Sequence, residues 1–216
     1  MEADIRDPDI VRIVPRLGVD TLAVERFRYG PTSFHAEVLL RSPETRLTVY
    51  DAELDARGNI VELTARQYDP AGVTQTSFGE PLARTDWEYG NGAVVITTRG
   101  AGETQERTVE APADAIPFID MVHWPYELAM LRGIAEDGEE TLPMLAGRGT
   151  AGFAFIPQGG DRLGLRHPSR GTMTVTRASN GGIRTLDAGQ TTRAVVVERV
   201  GEVDVAGLAR RYAGRG

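Results

Sequence analysis

The chain contains no cysteine and no lysine. Without cysteine it has no disulfide, no thiolate nucleophile and no cysteine-ligated zinc. Without lysine it has no Schiff-base chemistry and no P-loop lysine. All 24 of its basic residues are arginines, a pattern typical of a GC-rich genome or of many bidentate arginine–carboxylate pairs. These absences exclude enzymes that use a cysteine nucleophile or a Schiff-base lysine. They do not show whether the protein works in an oxidising or in a reducing compartment.

Long hydrophobic runs and an excess of positive charge are also lacking. No segment reaches the ~20 apolar residues of a membrane-spanning helix, and the polar opening MEADIRDPDI is not a signal peptide. The net charge of −7 argues against nucleic-acid binding, which needs a concentrated positive surface. The polar start could replace a removed signal, and the chain could be a fragment of a longer protein.

Short alternating stretches separated by glycine turns make up most of the sequence. The clearest is a hairpin of Arg46–Leu54 and Ile60–Tyr68 around a turn at 55–59. Close spacing of successive strands favours antiparallel neighbours. We therefore predict a mainly β fold: a large curved antiparallel meander, either an unclosed barrel or a sandwich. It forms a single domain over 1–216, with an N-terminal arm at 1–18 and a short C-terminal helix at 204–213 that Asp204 caps.

The same alternation predicts the remaining strands. They lie at 10–14, 22–29, 34–41, 73–78, 82–89, 93–99, 104–110, 140–145, 150–156, 162–166, 172–177, 183–187 and 190–200.

One segment departs from the alternation. Residues 115–133, AIPFIDMVHWPYELAMLRG, are almost wholly apolar. Pro117 and Pro125 favour the first turns of helices. The segment therefore predicts two short helices, at 118–124 and 126–132, that end before Gly133. We expect this helical insert, at about 117–133, to fill or cover the hollow side of the sheet.

The apolar side chains of the insert have two interpretations. They form ordinary core, or they line a cavity between helix and sheet, since pockets are mostly apolar and methionine adapts to varied ligands. The candidate ligand-binding residues are Phe118, Met121, Trp124, Tyr126, Met130 and Leu131.

Three polar residues, Asp120, His123 and Glu127, interrupt the insert at the spacing i, i+3, i+7. On a straight helix they would form one polar stripe. A carboxylate that orients an imidazole could act as an acid–base pair near neutral pH. The alternative is the water-facing side of the helix. No metal site is expected because no second histidine is near, and no cofactor is expected.

Two other groups of polar residues have simpler explanations. The stretch from His167 to Gly171 places an imidazole two residues from a serine but lacks the Gly-x-Ser-x-Gly nucleophile elbow, and it predicts a turn. Asp51 with Glu53 could be paired glycosidase carboxylates, but on a strand such pairs are usually the solvated face.

The layout resembles uncharacterised bacterial proteins of the DUF3108 family and, more loosely, the LolA/LolB lipoprotein carriers. The resemblance rests on GVDTLAVERFRYG, on LTVYDAELDARGNIVEL, on the helical insert and on MTVTRASNGGIRTLDAGQTTRAVVVERV. It implies a strongly curved, unclosed sheet whose concave face, covered by helices, can hold lipid-like ligands in the cell envelope. It implies no catalytic residues. The resemblance thus implies a periplasmic or secreted protein, with the cytoplasm as the alternative, because the chain shows neither a signal nor the lipobox cysteine of such carriers.

Three functions follow as hypotheses. The first is a binding module that holds a hydrophobic small molecule or an acyl chain between the sheet and the insert. The second is a hydrolase or isomerase that uses a histidine–carboxylate pair in the same cavity. The third is a structural or interaction domain that meets a protein partner through the insert. The sequence favours the first.

Overall fold

A computed structural model describes residues 16–17, 20–41, 44–90, 92–132, 138–188, 196–198 and 203–213. The predicted strand at 10–14, most of the predicted N-terminal arm, most of the predicted strand at 190–200 and Gly133 lie outside these residues.

A seven-stranded antiparallel sheet forms the first half of the chain, and its strands pair in chain order. Its strands are β3 (Ala23–Tyr29), β4 (Ser33–Leu40), β5 (Arg46–Leu54), β6 (Ile60–Tyr68), β7 (Ala83–Gly90), β8 (Ala93–Gly100) and β9 (Glu103–Glu110). Short connections keep most successive strands adjacent, as the sequence predicts, and the connection of β6 to β7 is a longer one over 69–82.

A nine-stranded sheet contains the rest, in the order β10-β11-β12-β13-β14-β15-β16-β1-β2. Its strands are β1 (Arg16–Leu17), β2 (Asp20–Thr21), β10 (Ile116–Pro117), β11 (Glu140–Ala146), β12 (Gly149–Pro157), β13 (Arg162–His167), β14 (Gly171–Arg177), β15 (Ile183–Asp187) and β16 (Val196–Glu198). All neighbours are antiparallel except β10 and β11, which run parallel.

Two α-helices accompany the sheets in the described residues: α1 (Trp124–Leu131) and α2 (Val205–Ala213). The predicted fold class is confirmed: the protein is mainly β, with two antiparallel sheets of which one curls into a half-barrel, a helix in the insert and a short C-terminal helix. The predicted cap of α2 is also present, because the Asp204 carboxylate accepts a hydrogen bond from the Gly207 N–H at 2.8 Å.

Two predicted elements are wrong. Residues 118–123 form turns and not a first helix, and Met121 has a φ of 63°, which no α-helix tolerates. Residues 73–78 form no strand, because a 3-10 turn at Pro70–Gly72 and a hydrogen bond from the Thr74 N–H to the Ser77 carbonyl bend the chain instead.

The main core lies between the two sheets and contains α1. On one side, Trp124 packs against Phe34 and Tyr50 of the seven-stranded sheet. The centroid of its ring lies 4.6 Å from that of Phe34 and 5.5 Å from that of Tyr50. On the other, the Tyr126 ring lies 5.9 Å from the Phe153 ring of the nine-stranded sheet. Because α1 is covered on both sides, it joins the sheets through apolar packing.

A second, smaller core lies on the outer face of the seven-stranded sheet. There α2 packs Val205 and Ala209 against Val24, Leu39 and Leu47, and all five side chains are buried. This helix covers one end of the outer face and leaves the rest of it polar.

Candidate functional site

The start of α1 is fixed by a carboxylate from the seven-stranded sheet. Glu25 of β3 is fully buried, and its carboxylate accepts hydrogen bonds from the His123 N–H at 2.9 and 3.0 Å and from the Trp124 N–H at 3.1 Å. Unpaired N–H groups at a helix N-terminus favour a negative charge. Glu25 therefore replaces the local capping side chain that α1 lacks.

The same carboxylate orients the imidazole of His123. The Nδ1 atom of His123 lies 2.8 Å from Oε1 of Glu25, and the ring is almost fully buried. Because a carboxylate only accepts hydrogen bonds, Nδ1 carries the proton and donates it. Nε2 makes no hydrogen bond with any described residue. In the neutral ring, Nε2 is therefore an acceptor.

A small cavity of about 40 Å³ lies between the N-terminal end of α1 and the nine-stranded sheet. Its lining from the insert is Phe118, Asp120, Met121, Val122, His123 and Tyr126, and its lining from the sheet and its connections is His167, Arg170, Met173, Leu186 and Ala188. Most of these side chains are apolar, and the polar ones are few, which is the usual composition of a small-molecule site. The positive φ of Met121 turns the chain at the cavity wall, and strained backbone of this kind often marks a functional site.

His167 has the opposite hydrogen-bonding pattern to His123. Its Nδ1 accepts a hydrogen bond from the Ser169 N–H at 3.0 Å, so the proton of the neutral ring lies on Nε2. That Nε2 is buried and has no hydrogen-bond partner in the described part of the chain. Burial, followed by the charge of Arg170, lowers the pKa of His167. A neutral His167 thus presents an unmatched donor, which is rare for a buried polar atom.

Arg170 and Asp120 join the two walls of the cavity. Nη1 of Arg170 donates to Oδ1 of Asp120 at 2.7 Å, although the two residues are far apart in sequence. The guanidinium also lies 5.6 Å from the centre of the Phe118 ring, within the range of a cation–π contact. The pair therefore holds the loop before α1 against the turn between β13 and β14.

The predicted ligand-binding residues divide into two groups. Phe118, Met121 and Tyr126 line the cavity. Trp124 and Met130 lie in the main core, away from the cavity wall. Leu131 is 39% exposed and also does not line it.

The three predicted acid–base residues are not brought together as one stripe. His123 bonds to Glu25, Asp120 pairs with Arg170, and the buried carboxylate of Glu127 accepts a hydrogen bond from the Ile183 N–H at 2.9 Å. Glu127 thus tethers α1 to β15.

Sequence reasoning missed Glu25 and the sheet side of the cavity. Glu25 did carry a signal, because it alternates in phase with the inward-facing Phe27 and Tyr29. A glutamate on an apolar strand face needs a buried partner. His167 and Arg170 carried no such signal, because the stretch that contains them also fits a simple turn.

A wider groove of about 610 Å³ lies over the polar part of the seven-stranded sheet. Its central charges are already paired: His35 Nδ1 lies 2.7 Å from Oδ1 of Asp51, and Arg66 Nη1 lies 2.6 Å from Oδ2 of the same residue. Nε2 of His35 also lies 3.5 Å from Oε1 of the buried Glu37. Because these groups satisfy one another, the smaller cavity is the better candidate site.

This ionic network predicts a loss of stability in alkaline solution. Hydrogen bonds to Asp51 and then to Glu37 raise the pKa of His35 to about 9. Its contribution to stability is fully present below the unfolded-state pKa of about 6.5 and is lost as the pH rises through 9. The denaturant midpoint of the wild-type protein should therefore fall between pH 6.5 and pH 9.5. In His35→Gln that fall should be smaller, and an equally steep fall would contradict the assignment.

Among the described residues, no group of three or more histidine, aspartate or glutamate side chains is arranged to hold a metal ion. In the same part of the chain, no helix has the length and apolar character needed to cross a bilayer.

Comparison with known proteins shows the fold. No family model matches the sequence, and no curated protein matches it. A solved structure of a DUF1089 family protein from Pseudomonas aeruginosa is similar, with a TM-score of 0.52 and 13% identity over 78% of this chain and 92% of that one. The likeness is one of fold alone.

A second solved structure is a β-barrel-like protein of the domain of unknown function DUF1849 from Brucella abortus. Its TM-score is 0.44, with 10% identity over 90% of this chain and 98% of that one. The expected resemblance is confirmed only as a likeness of fold to the DUF1089 family protein. The finer likeness to DUF3108 and to LolA/LolB stays a prediction.

Proposed function

We propose that this protein is a binding module for a small, partly apolar molecule, which it holds in the cavity between the loop before α1 and the nine-stranded sheet. The observation that carries the proposal is the unmatched Nε2–H donor of His167 on an otherwise mainly apolar wall. A ligand acceptor at this point would satisfy the donor and at the same time bury apolar surface, which favours binding.

The size of the cavity limits the ligand. One water needs roughly 10–15 Å³ of such volume, so 40 Å³ corresponds to about three water-sized positions. A dry cavity that binds benzene measures about 150 Å³. A long acyl chain therefore does not fit the cavity as it stands, and a ligand with a short alkyl group does. Longer chains would require Met121 and Met173 to change rotamer, which methionine does readily.

A variant pair tests the proposal against the sequence-based set of ligand residues. Straight-chain alcohols and carboxylic acids of two to ten carbons are the probes, and the measurement is the rise in melting temperature as a function of probe concentration, since a ligand of the folded state stabilises it. We expect the largest rise for the two-carbon probes, whose size is closest to the about three water-sized positions of the cavity. Phe118→Ala removes a cavity wall. In this variant, about tenfold more probe should be needed for the same rise in melting temperature.

Leu131→Ala is the matched control, because Leu131 lies on the same segment but not on the cavity. It should leave the response unchanged. Equal loss in both variants, or no response to any probe in the wild-type protein, would contradict the proposal.

An enzyme built on the same cavity is the second candidate. The observation that favours it is the 2.8 Å contact of Glu25 with Nδ1 of His123, which leaves Nε2 as the possible general base. A hydrolase of this kind should cleave p-nitrophenyl acetate or butyrate and lose this activity in His123→Asn, while the circular dichroism spectrum is retained. Turnover that persists in His123→Asn would remove this candidate.

A docking role for the insert has less support. Its two largest aromatic side chains, Trp124 and Tyr126, are 0% and 5% exposed. They form no surface patch that a protein partner could reach.

A further inference from the structure

The turn between β13 and β14, at 167–171, contributes His167 and Arg170 to the sheet side of the cavity. We infer that this turn closes the cavity only while His167 is neutral, so that protonation of the ring in acid opens the cavity and releases the ligand. The release of a ligand rests on the proposed function. The opening does not, because it can be measured on the protein without a ligand.

Two side chains of the turn hold the loop before α1. The His167 ring contacts the Phe118 ring of that loop, with 5.3 Å between their centroids. Arg170 lies over the same Phe118 ring and donates a hydrogen bond to Asp120 at 2.7 Å. All four residues line the cavity, so its two walls meet at these contacts. A displacement of the turn therefore separates the walls.

The His167 ring is held in place by a hydrogen bond that only the neutral imidazole can form. The Ser169 N–H donates to Nδ1 of His167 at 3.0 Å. Both nitrogens of a protonated ring are donors, so the new Nδ1–H would point at another donor. A bond to the Ser169 hydroxyl, whose Oγ lies 3.4 Å from Nδ1, would still leave the two N–H groups opposed. Protonation thus removes the bond that fixes the ring.

The neighbours of the ring do not offset this loss. The Phe153 ring of β12 is fully buried, and its centroid lies 4.7 Å from that of the His167 ring. Nε2 of His167 is buried and has no hydrogen-bond partner among the described residues. A positive charge on the ring therefore costs more free energy here than it does in water.

The charged groups around the ring act in both directions. Arg170 of the same turn repels a second positive charge, and Asp120 of the loop before α1 attracts one. Asp120 is already paired with Arg170, which limits its effect. The insert also contributes His123 and Tyr126 to the cavity, and the other sheet-side lining residues are uncharged: Met173, Leu186 and Ala188.

The direction of the pH effect follows from these surroundings. Burial, followed by the charge of Arg170, lowers the pKa of His167 in the closed turn. In an open turn, where the ring meets water, the pKa returns toward its ordinary value of about 6.5. The open state therefore binds the proton more tightly than the closed state. As the pH falls below about 6.5, proton uptake shifts the equilibrium toward the open state.

NMR spectroscopy of the ligand-free protein tests the opening. The protein is labelled with ¹⁵N and with ¹³C at the methionine methyl groups, and the pH is lowered from about 7.5 to about 5. We expect the signals of the Ser169 N–H, Met121 and Met173 to shift with one common midpoint below about pH 6.5. The methyl signals of Met130 and Met144, which lie in the main core, should not follow this transition.

His167→Asn removes the proton-binding group and keeps the hydrogen bond. An asparagine side chain accepts from the backbone N–H two residues on and takes up no proton in this pH range. The shifts of Met121 and Met173 should therefore be lost. Ser169→Ala is the matched control, because it retains the backbone N–H, and the transition should persist. His35→Gln, which removes a histidine that does not line the cavity, should also retain it.

Ethanol, which has no titratable group, measures the release. One pH unit below the midpoint of the methyl shifts, about a tenth of the molecules keep the closed cavity, so the apparent Kd for ethanol should rise about tenfold. In His167→Asn the Kd should be the same at both pH values.

The outcomes separate this inference from the proposed function. Unmoved Ser169 and Met173 signals in the wild-type protein, or an unchanged transition in His167→Asn, would overturn the inference and leave the binding module in place. Because the wild-type signals are assigned residue by residue, they decide the matter even if His167→Asn does not fold. An ethanol Kd that is equal on both sides of the transition would overturn the release. Shifts of the methyl signals without ethanol binding at any pH would overturn the proposed function and leave the opening in place.

Discussion

Replacement of Glu25 by glutamine should lower the free energy of unfolding by about 3 kcal/mol. The carboxylate is fully buried and accepts hydrogen bonds from two backbone N–H groups and from Nδ1 of His123. Glutamine keeps one acceptor oxygen and turns an NH₂ group toward donors. At least one buried donor then loses its partner, and α1 loses the negative charge at its N-terminus.

Urea unfolding of the two proteins measures this effect. Glu44→Gln is the matched control, because its side chain is 76% exposed and its ion pair with Arg46 lies on the surface. Such pairs contribute little, and we expect a change within about 0.5 kcal/mol. If Glu25→Gln unfolded at the same urea concentration as Glu44→Gln, the buried cap would not support the fold.

Trp124→Ala should cost about 4 kcal/mol of unfolding free energy. The indole is fully buried and contacts Phe34 and Tyr50, so its removal leaves a cavity between α1 and the seven-stranded sheet. Trp124→Phe should cost distinctly less, because its ring fills much of the site and Nε1 of Trp124 has no hydrogen-bond partner among the described residues. Thermal and urea unfolding measure both variants.

The same variant separates core from ligand site. Trp124 does not line the cavity, so folded Trp124→Ala should still bind the short-chain probes with nearly wild-type affinity. Leu82→Ala is the stability control, because Leu82 is 58% exposed, and we expect a change within about 0.5 kcal/mol. A Trp124→Ala variant as stable as Leu82→Ala would contradict the assignment of Trp124 to the main core.

Local patterns were sufficient for most of the strands, although not for the wrongly predicted strand at 73–78 or for β10. The hairpin of β5 and β6 has the predicted bounds, Arg46–Leu54 and Ile60–Tyr68, because alternation and a glycine turn act over short distances. The secondary structure of the insert was harder to predict. Its apolar residues face core on both sides, so no helical period marks where the helix begins, and the turn at Met121 has no glycine to reveal it.

About half of the candidate site could be predicted, because those residues lie close together in the sequence. Phe118, Met121 and Tyr126 belong to the insert, whose composition drew attention to it. Glu25 and Arg170 reach the site from other strands and turns, and a single sequence does not show contacts between residues so far apart. Their roles follow only from the pairing of two sheets around α1.

The central claim is that the cavity beside α1 is the binding site, and the methionines report on it directly. Met121 and Met173 line the cavity, whereas Met130 and Met144 lie in the main core and do not. Protein labelled with ¹³C at the methionine methyl groups should be titrated with ethanol and with acetate, the two-carbon members of the probe series. We expect the methyl signals of Met121 and Met173 to move with a common saturation curve while those of Met130 and Met144 stay in place. Unmoved Met121 and Met173 signals, or equal movement of all four, would contradict the account.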